Sequence, residues 1–172
     1  MSRRFDVAAH LDSLRRYARV LTRDGADADD VVQGALLRAV ERLDQWREDG
    51  NLRVWLMSIL HNHFVDHTRA RMAAQARDGA WAGLAPTVAL PQGEDAVRLA
   101  QVRAAVLDLP AEQREALHLV AIEGMAVAKA ALVLGVPAGT VMSRVGRARA
   151  ALRRFEDGGV PRARLRVVGD QP

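Results

Sequence analysis

The sequence predicts an all-α protein: two small helical domains joined by a flexible linker, the second ending in a helix-turn-helix. Three observations predict it. Apolar residues recur at three- and four-residue spacing in several stretches, and no stretch alternates as a strand would. Composition shifts at "DGAWAGLAPTVALPQGED", residues 78–95, where glycines and prolines interrupt any periodicity. Near the end, "VAKAALVLGVP" runs into "AGTVMSRVGRARAAL", two helical stretches hinged on a Gly-Val-Pro turn.

The elements follow in order. Residues 7–22 carry Leu11, Leu14, Ala18 and Leu21 on one helical face. Residues 27–44 carry Val31, Val32, Ala35, Leu36, Ala39, Val40 and Leu43 as a wide apolar stripe, with Asp27, Asp29 and Asp30 expected in the first turn, complementing the helix dipole. Residues 53–70 hold Trp55, Leu56, Ile59, Leu60 and Phe64. These three helices form a first block, 1–71, followed by a linker over 72–94. The second block, 95–155, holds helices near 95–108 and 110–123, the latter opened by Pro110, then the helix-turn-helix; a basic tail, 156–172, is expected to be mobile.

In the last pair, a short helix from Val127 to Leu134 ends at Gly135, and a second begins at Pro137. Ala131, Gly135 and Val141 supply the small residue, the turn and the branched residue that closely crossing helices need. Val141, Val145, Ala148 and Leu152 form the inward face. The outward face carries Gly139, Thr140, Ser143, Gly146, Arg147, Ala150 and Arg154, flanked by Arg144 and Arg149. From Gly124 to Phe155 there is no acidic residue. A small, hydroxylated, positive helix face suits a major groove, where arginine meets phosphates or the acceptor edge of guanine; the competing reading is a solvated basic helix packed on its neighbour.

The chain has no cysteine, which excludes disulfides and thiolate metal sites. No apolar run reaches membrane-span length and no signal peptide opens the chain, so a cytoplasmic protein without membrane insertion is expected. Net charge is only +4, but residues 24–49 are mainly acidic and the chain beyond 124 is strongly basic, which suggests two different partners. Arg162, Arg164 and Arg166 add positive charge to the tail. His61, His63, Asp66 and His67 lie close along one helix, but no glutamate accompanies them as in metalloprotease helices, and neither a nucleophile–base pair nor a phosphate-binding loop is present. No enzyme activity, metal or cofactor is expected.

Two features of the first block carry function or only structure. The outward face of the second helix shows Asp29, Asp30, Gln33, Arg38, Glu41 and Arg42: a solvated face with ordinary ion pairs, or a docking surface for a basic partner. In "DQWREDGNLRVWL", Trp46, Arg47, Asn51 and Arg53 surround a turn and could stack on and hydrogen-bond an extruded base. Alternatively, Trp46 and Trp55 cap the small core.

At these residues the chain resembles the extracytoplasmic-function sigma factors, two-domain specificity subunits of bacterial RNA polymerase. "LRRYARVLTRDGADADDVVQGALLRAVERL" and "NLRVWLMSILHNHFVDHTRAR" resemble their region two; "LPAEQREALHLVAIEGMAVAKAALVLGVPAGTVMSRVGRARAAL" resembles region four. The resemblance implies promoter recognition, in a stress or envelope response, with the polymerase core, promoter DNA and an anti-sigma factor as partners. It implies that Asp29, Asp30, Gln33 and Arg38 dock on a coiled coil of the largest polymerase subunit. Trp46, Arg47 and Asn51 would capture a minus-ten base, and Arg53, Asn62, Arg69 and Arg71 would hold the separated strand. Thr140, Ser143, Arg144 and Arg147 would read the minus-thirty-five element, with Arg149, Arg153 and Arg154 nearer the backbone and Met142 at the edge, against a thymine methyl or a gap.

The chain departs from the family pattern at Met142, where lysine is usual, at Ala128 and Lys129, where a glutamate is frequent, and at Gly34, which follows Gln33 in place of an acid. Gly34 is expected to weaken its helix by about 1 kcal/mol relative to alanine. Losing one cation removes a phosphate contact. The departures admit an alternative: a sigma-like decoy that binds an anti-sigma factor without starting transcription.

Overall fold

The computed structural model describes residues 6–47, 50–78 and 94–157. The expected linker between 79 and 93, and the tail from 158 onward, lie outside the described residues. Among those described, the elements are α1 (Leu11–Thr22), α2 (Gly25–Glu41), α3 (Leu52–Asp78), α4 (Glu94–Asp108), α5 (Ala111–Leu117) continued by a π turn (His118–Ile122), α6 (Val127–Leu134) and α7 (Ala138–Asp157), with short 3-10 turns before α1 and after α2.

α1 buries Leu14, Tyr17, Ala18 and Leu21, the period of one helical face. It stops because Arg23 turns left-handed at φ 63°, and its N–H closes on the Arg19 carbonyl. The next residue starts α2: the Asp24 carboxylate accepts from the Ala26 N–H at 2.8 Å and the Asp27 N–H at 3.0 Å. Such a cap stabilises a helix by about 1 kcal/mol. Because this cap sets the start at Gly25, only Asp27 lies in the first turn. Asp29 and Asp30 sit beyond it, contrary to the sequence expectation.

α2 packs on α1 and α3 through Ala28, Val31, Val32, Ala35 and Ala39. The stripe is narrower than the sequence suggests: Val40 is 68% exposed and Leu43 45%, so both leave the core. The α2–α3 crossing also explains Gly34. A Cβ there would lie 2.1 Å from Nε2 of His63, so the imidazole ring occupies the space a side chain would need. The glycine lowers helix propensity but permits the close approach.

α3 continues to Asp78, through residues expected to begin the linker at 72. Its start is capped by Asn51, whose side-chain oxygen accepts from the Val54 N–H at 3.0 Å, and Arg69 to Ala73 are all exposed.

In the second half α6 and α7 cross around Gly135, whose φ of 63° favours glycine. Val141, Val145 and Ala148 are buried as expected, and Leu152 is partly buried. The fully buried small residue on α6 is Ala130; Ala131, the expected one, is only partly covered, and its carbonyl instead receives the Gly135 and Val136 N–H groups. The helix starts at Ala138, with Thr140 and Val141 donating to the Pro137 carbonyl.

The two halves share one core. α1 packs against α5 and the π turn, and α3 packs against α6. Arg114, 2% exposed, lies across this boundary: its guanidinium donates to the carbonyls of Val20 in α1 (3.0 Å) and of Leu107 and Leu109 at the end of α4 (3.2 and 2.9 Å). A buried guanidinium is tolerated because its donors are taken by carbonyls.

Candidate nucleic-acid interface

The outward side of α7 is built from its register. With Val141, Val145 and Ala148 turned inward, Met142, Ser143, Arg147, Arg149, Arg153 and Arg154 are exposed and Thr140 is half-buried. Ser143 donates to the Thr140 carbonyl at 2.9 Å, and Arg147 donates to the Ser143 hydroxyl at 3.2 Å. These bonds turn the Arg147 side chain, from the middle of the helix, back toward its start. Arg144 behaves differently. Its side chain is only 17% exposed and meets the Glu112 carboxylate of α5 at 2.8 Å. Arg149 and Arg153 flank a groove of about 260 Å³ that also takes in Val102, Leu152 and Phe155.

In the first half several of the candidate DNA residues are engaged in structure. The Trp46 and Trp55 rings lie 5.3 Å apart at 49° and both pack on the core, in keeping with a capping role. The turn between them is tight: the Gly50 N–H reaches the Arg47 carbonyl at 2.9 Å. Asn51 caps α3. Arg71 faces Asp27 at 3.8 Å, while Asn62 and Arg69 are exposed beside a cleft of about 650 Å³ between the halves, whose far wall includes Glu112, Val136 and Arg144.

On α2, Asp29, Asp30 and Gln33 are exposed. Asp29 lies 4.0 Å from Arg15, and Arg38 donates to Asp66 at 3.1 Å. Leu37, 67% exposed, and Val40 continue the same side of the helix. Helical spacing assigned Val40 to the core and passed over Leu37. An apolar pair left outside a stripe is the signal that could have marked a protein-docking face.

Glu123 was also missed. It follows the π turn, and its side chain has no solvent exposure. Its carboxylate accepts from Ser13 (2.5 Å) and twice from Arg16 (3.0 and 3.2 Å), and it is paired with Arg53; His118 Nε2 is 3.3 Å away. Burial pushes its pKa up, but the hydrogen bonds from Arg16, Ser13 and Arg53 and the Arg16 charge outweigh burial and hold it at about 2. Nearby, the buried Tyr17 ring stacks between His61 (6.4 Å) and His118 (5.7 Å), and its hydroxyl is 3.0 Å from His61 Nδ1. Among the described residues no group of three or more histidines or acids is placed to hold a metal ion; His63 is instead set against Gly34. No helix among the described residues is long and apolar enough to cross a membrane.

The first half and the basic, outward-facing second helix of a helix-turn-helix define a two-part DNA-binding protein of the sigma class, and known proteins agree. Residues 7–61 match the family "Sigma2 domain of PhyR" and residues 99–152 match "Sigma-70, region 4". The chain is 39% identical over 153 residues to the ECF RNA polymerase sigma factor EcfG of Rhodopseudomonas palustris, covering 88% of this chain and 83% of that one. It is 37% identical over 156 residues to the ECF RNA polymerase sigma factor SigM of Mycobacterium tuberculosis (85% and 72% covered). The fold is similar to that of the sigma factor RpoE of Bartonella quintana, solved in complex with the anti-sigma factor NepR, with a TM-score of 0.75 and 31% identity over 90% of this chain and 96% of that one. The chain belongs to the extracytoplasmic-function RNA polymerase sigma factors.

Proposed function

We propose that this sigma factor acts in the cytoplasm, bringing the RNA polymerase core to promoters of its own sequence class while the polymerase performs the chemistry. The observation that carries the reading is the outward side of α7. It presents Arg147, Arg149, Arg153 and Arg154 in a segment without acids, on the second helix of a helix-turn-helix. A groove-entering helix of this kind makes base contacts near its start and backbone contacts further on. Thr140, Met142, Ser143 and Arg147 therefore read the minus-thirty-five element, joined by Arg144 once it leaves Glu112, and Arg149, Arg153 and Arg154 hold phosphates. Trp46, Arg47, Asn51, Arg53, Asn62, Arg69 and Arg71 serve the minus-ten element. Asp29, Asp30, Gln33 and Arg38, extended by Leu37 and Val40, dock on the polymerase. Residues 1–71 and 95–155 act as two working units, joined through 72–94. An anti-sigma factor, as in the RpoE complex, is the expected regulator of a stress or envelope response.

Run-off transcription with core polymerase over a promoter library tests this directly: specific transcripts are expected from a subset of promoters. The match of residues 7–61 to the sigma2 domain of PhyR favours one other reading, a decoy that takes up an anti-sigma factor. A chain that binds an anti-sigma factor tightly but not core polymerase would establish the decoy.

A further inference from the structure

The two halves of the chain are joined by polar groups gathered around one buried carboxylate. Glu123, from the second half, has a side chain without solvent exposure. Its partners Ser13 and Arg16 lie on α1 and Arg53 on α3, all in the first half. Beside it Tyr17 of α1 is enclosed by His61 and His118, one ring from each half. Separating the halves would leave Glu123 to trade several charge-assisted bonds for water, so the contact is strong only while closed.

The closed arrangement conflicts with the function proposed above. The minus-ten and minus-thirty-five elements are roughly 25 base pairs apart, which at ~3.4 Å per pair is about 85 Å. A closed body of this chain length is only about 40 Å across. With α3 on α6 and α1 on α5, the two DNA-facing surfaces cannot reach both elements. Arg53, a candidate for the minus-ten strand, is meanwhile held by Glu123.

Resting on the sigma-factor reading for its consequence, but not for its geometry, we propose that Glu123 is an intramolecular latch: by gathering Ser13, Arg16 and Arg53 it keeps the two halves closed in the unbound chain, and promoter engagement requires its release. The latch belongs to the chain itself and needs no anti-sigma factor. Arg16 is half exposed, so a polyanion or a polymerase surface can take it from the carboxylate and begin the opening.

The chain lacks cysteine, so a pair introduced at the exposed positions Ala9 and Glu156 can be spin-labelled specifically in the full-length protein. Electron–electron distance measurement should give one narrow short distance without latch substitutions, and a broad, longer distribution for Glu123→Gln. The double variant Ser13→Ala/Arg16→Ala, which leaves the carboxylate in place, should open likewise; it decides the matter if Glu123→Gln loses its helical circular dichroism. Apparent affinity for an isolated minus-ten single strand should rise about 3–10-fold in the opened variants, since Arg53 is no longer held and binding no longer draws on a minor open population, while a minus-thirty-five duplex, which meets only the exposed side of α7, should bind as before. A broad distribution before any latch substitution, or a short distance persisting in folded latch variants, would overturn the latch whatever the DNA does. Opened variants that bind neither strand nor duplex would leave the latch standing and defeat the promoter reading instead.

Discussion

The outward arginines of α7 and three paired arginines of the first half serve opposite ends. On α7, Arg147, Arg149, Arg153 and Arg154 point outward in a segment with no acid between Gly124 and Phe155. In the first half, Arg38, Arg53 and Arg71 each meet a carboxylate: Asp66, Glu123 and Asp27. Exposed pairs of the Arg38 and Arg71 kind contribute little, about 0–1 kcal/mol, and can be exchanged for a phosphate at small cost. The Arg53 pair involves a buried acid and cannot be exchanged without moving the halves. The second half therefore presents an exposed basic surface that suits the proposed DNA contact, whereas under the proposed latch the first must be rearranged before it can act. On this view the largest single-residue effect lies on neither set of arginines but on α2. Asp30→Arg reverses charge on the exposed face proposed to dock on polymerase, and core binding measured by fluorescence anisotropy should fall about 100-fold or more. Duplex binding through α7 should be unchanged; loss of both would mean the substitution had damaged the common core instead.

The difference also explains what could be read from the sequence. The inward stripe of α7 and the turn at Gly135 were legible because helical spacing and a turn glycine are local signals. Val40 and Leu43 were misassigned because periodicity cannot say how wide a face the neighbours cover. Gly34 looked like a weakness until His63 was seen to fill its place. Arg114, Glu123 and Tyr17 were invisible as buried groups: their partners Val20, Ser13 and His61 lie far away in sequence. For the same reason Arg53 and Asn51 looked like DNA ligands only, although one pairs with Glu123 and the other caps α3.

Gly34→Ala sharpens the comparison in the first half. Its helix-propensity gain of about 1 kcal/mol should be outweighed by the clash with His63 at 2.1 Å, for a net loss of about 1–3 kcal/mol in urea unfolding. Gly34→Ala/His63→Ala should recover part of that loss. If Gly34→Ala alone raises stability, the close crossing is not required.

At the boundary between the halves, Glu115 contrasts with Glu123. Burial, opposed by Arg114 and Arg144, raises its pKa from 4.5 to about 7. A carboxyl raised in this way leaves the closed form fully stable below its unfolded value and weakens it as pH rises through about 7. His61 and His118, lowered chiefly by burial, act in the opposite sense, costing stability as pH falls through their range below 6.5. Between pH 6.5 and 8 the Glu115 effect should dominate. Glu115→Gln should flatten the decline and be more stable than the parent at pH 8 by on the order of 2 kcal/mol. Thermal unfolding at a series of pH values checks this; an unchanged decline would place the titrating group elsewhere.

The smallest effect is expected late on α7. Arg154→Ala should weaken all duplexes alike, by less than about 1 kcal/mol, and reduce the slope of log affinity against log salt by about one unit. Titrations at several salt concentrations would show it, and a sequence-dependent loss would move base reading further along the helix than its start.

The central claim is that the start of α7 reads sequence. It is tested most directly by measuring binding of Arg147→Ala and the parent chain to a full set of single-base variants of the preferred minus-thirty-five element, at two salt concentrations. The account predicts a loss of about 1–3 kcal/mol on the preferred element, with discrimination relaxed at one or two positions and retained at the others. An equal loss on every variant would contradict it and reduce Arg147 to a phosphate contact.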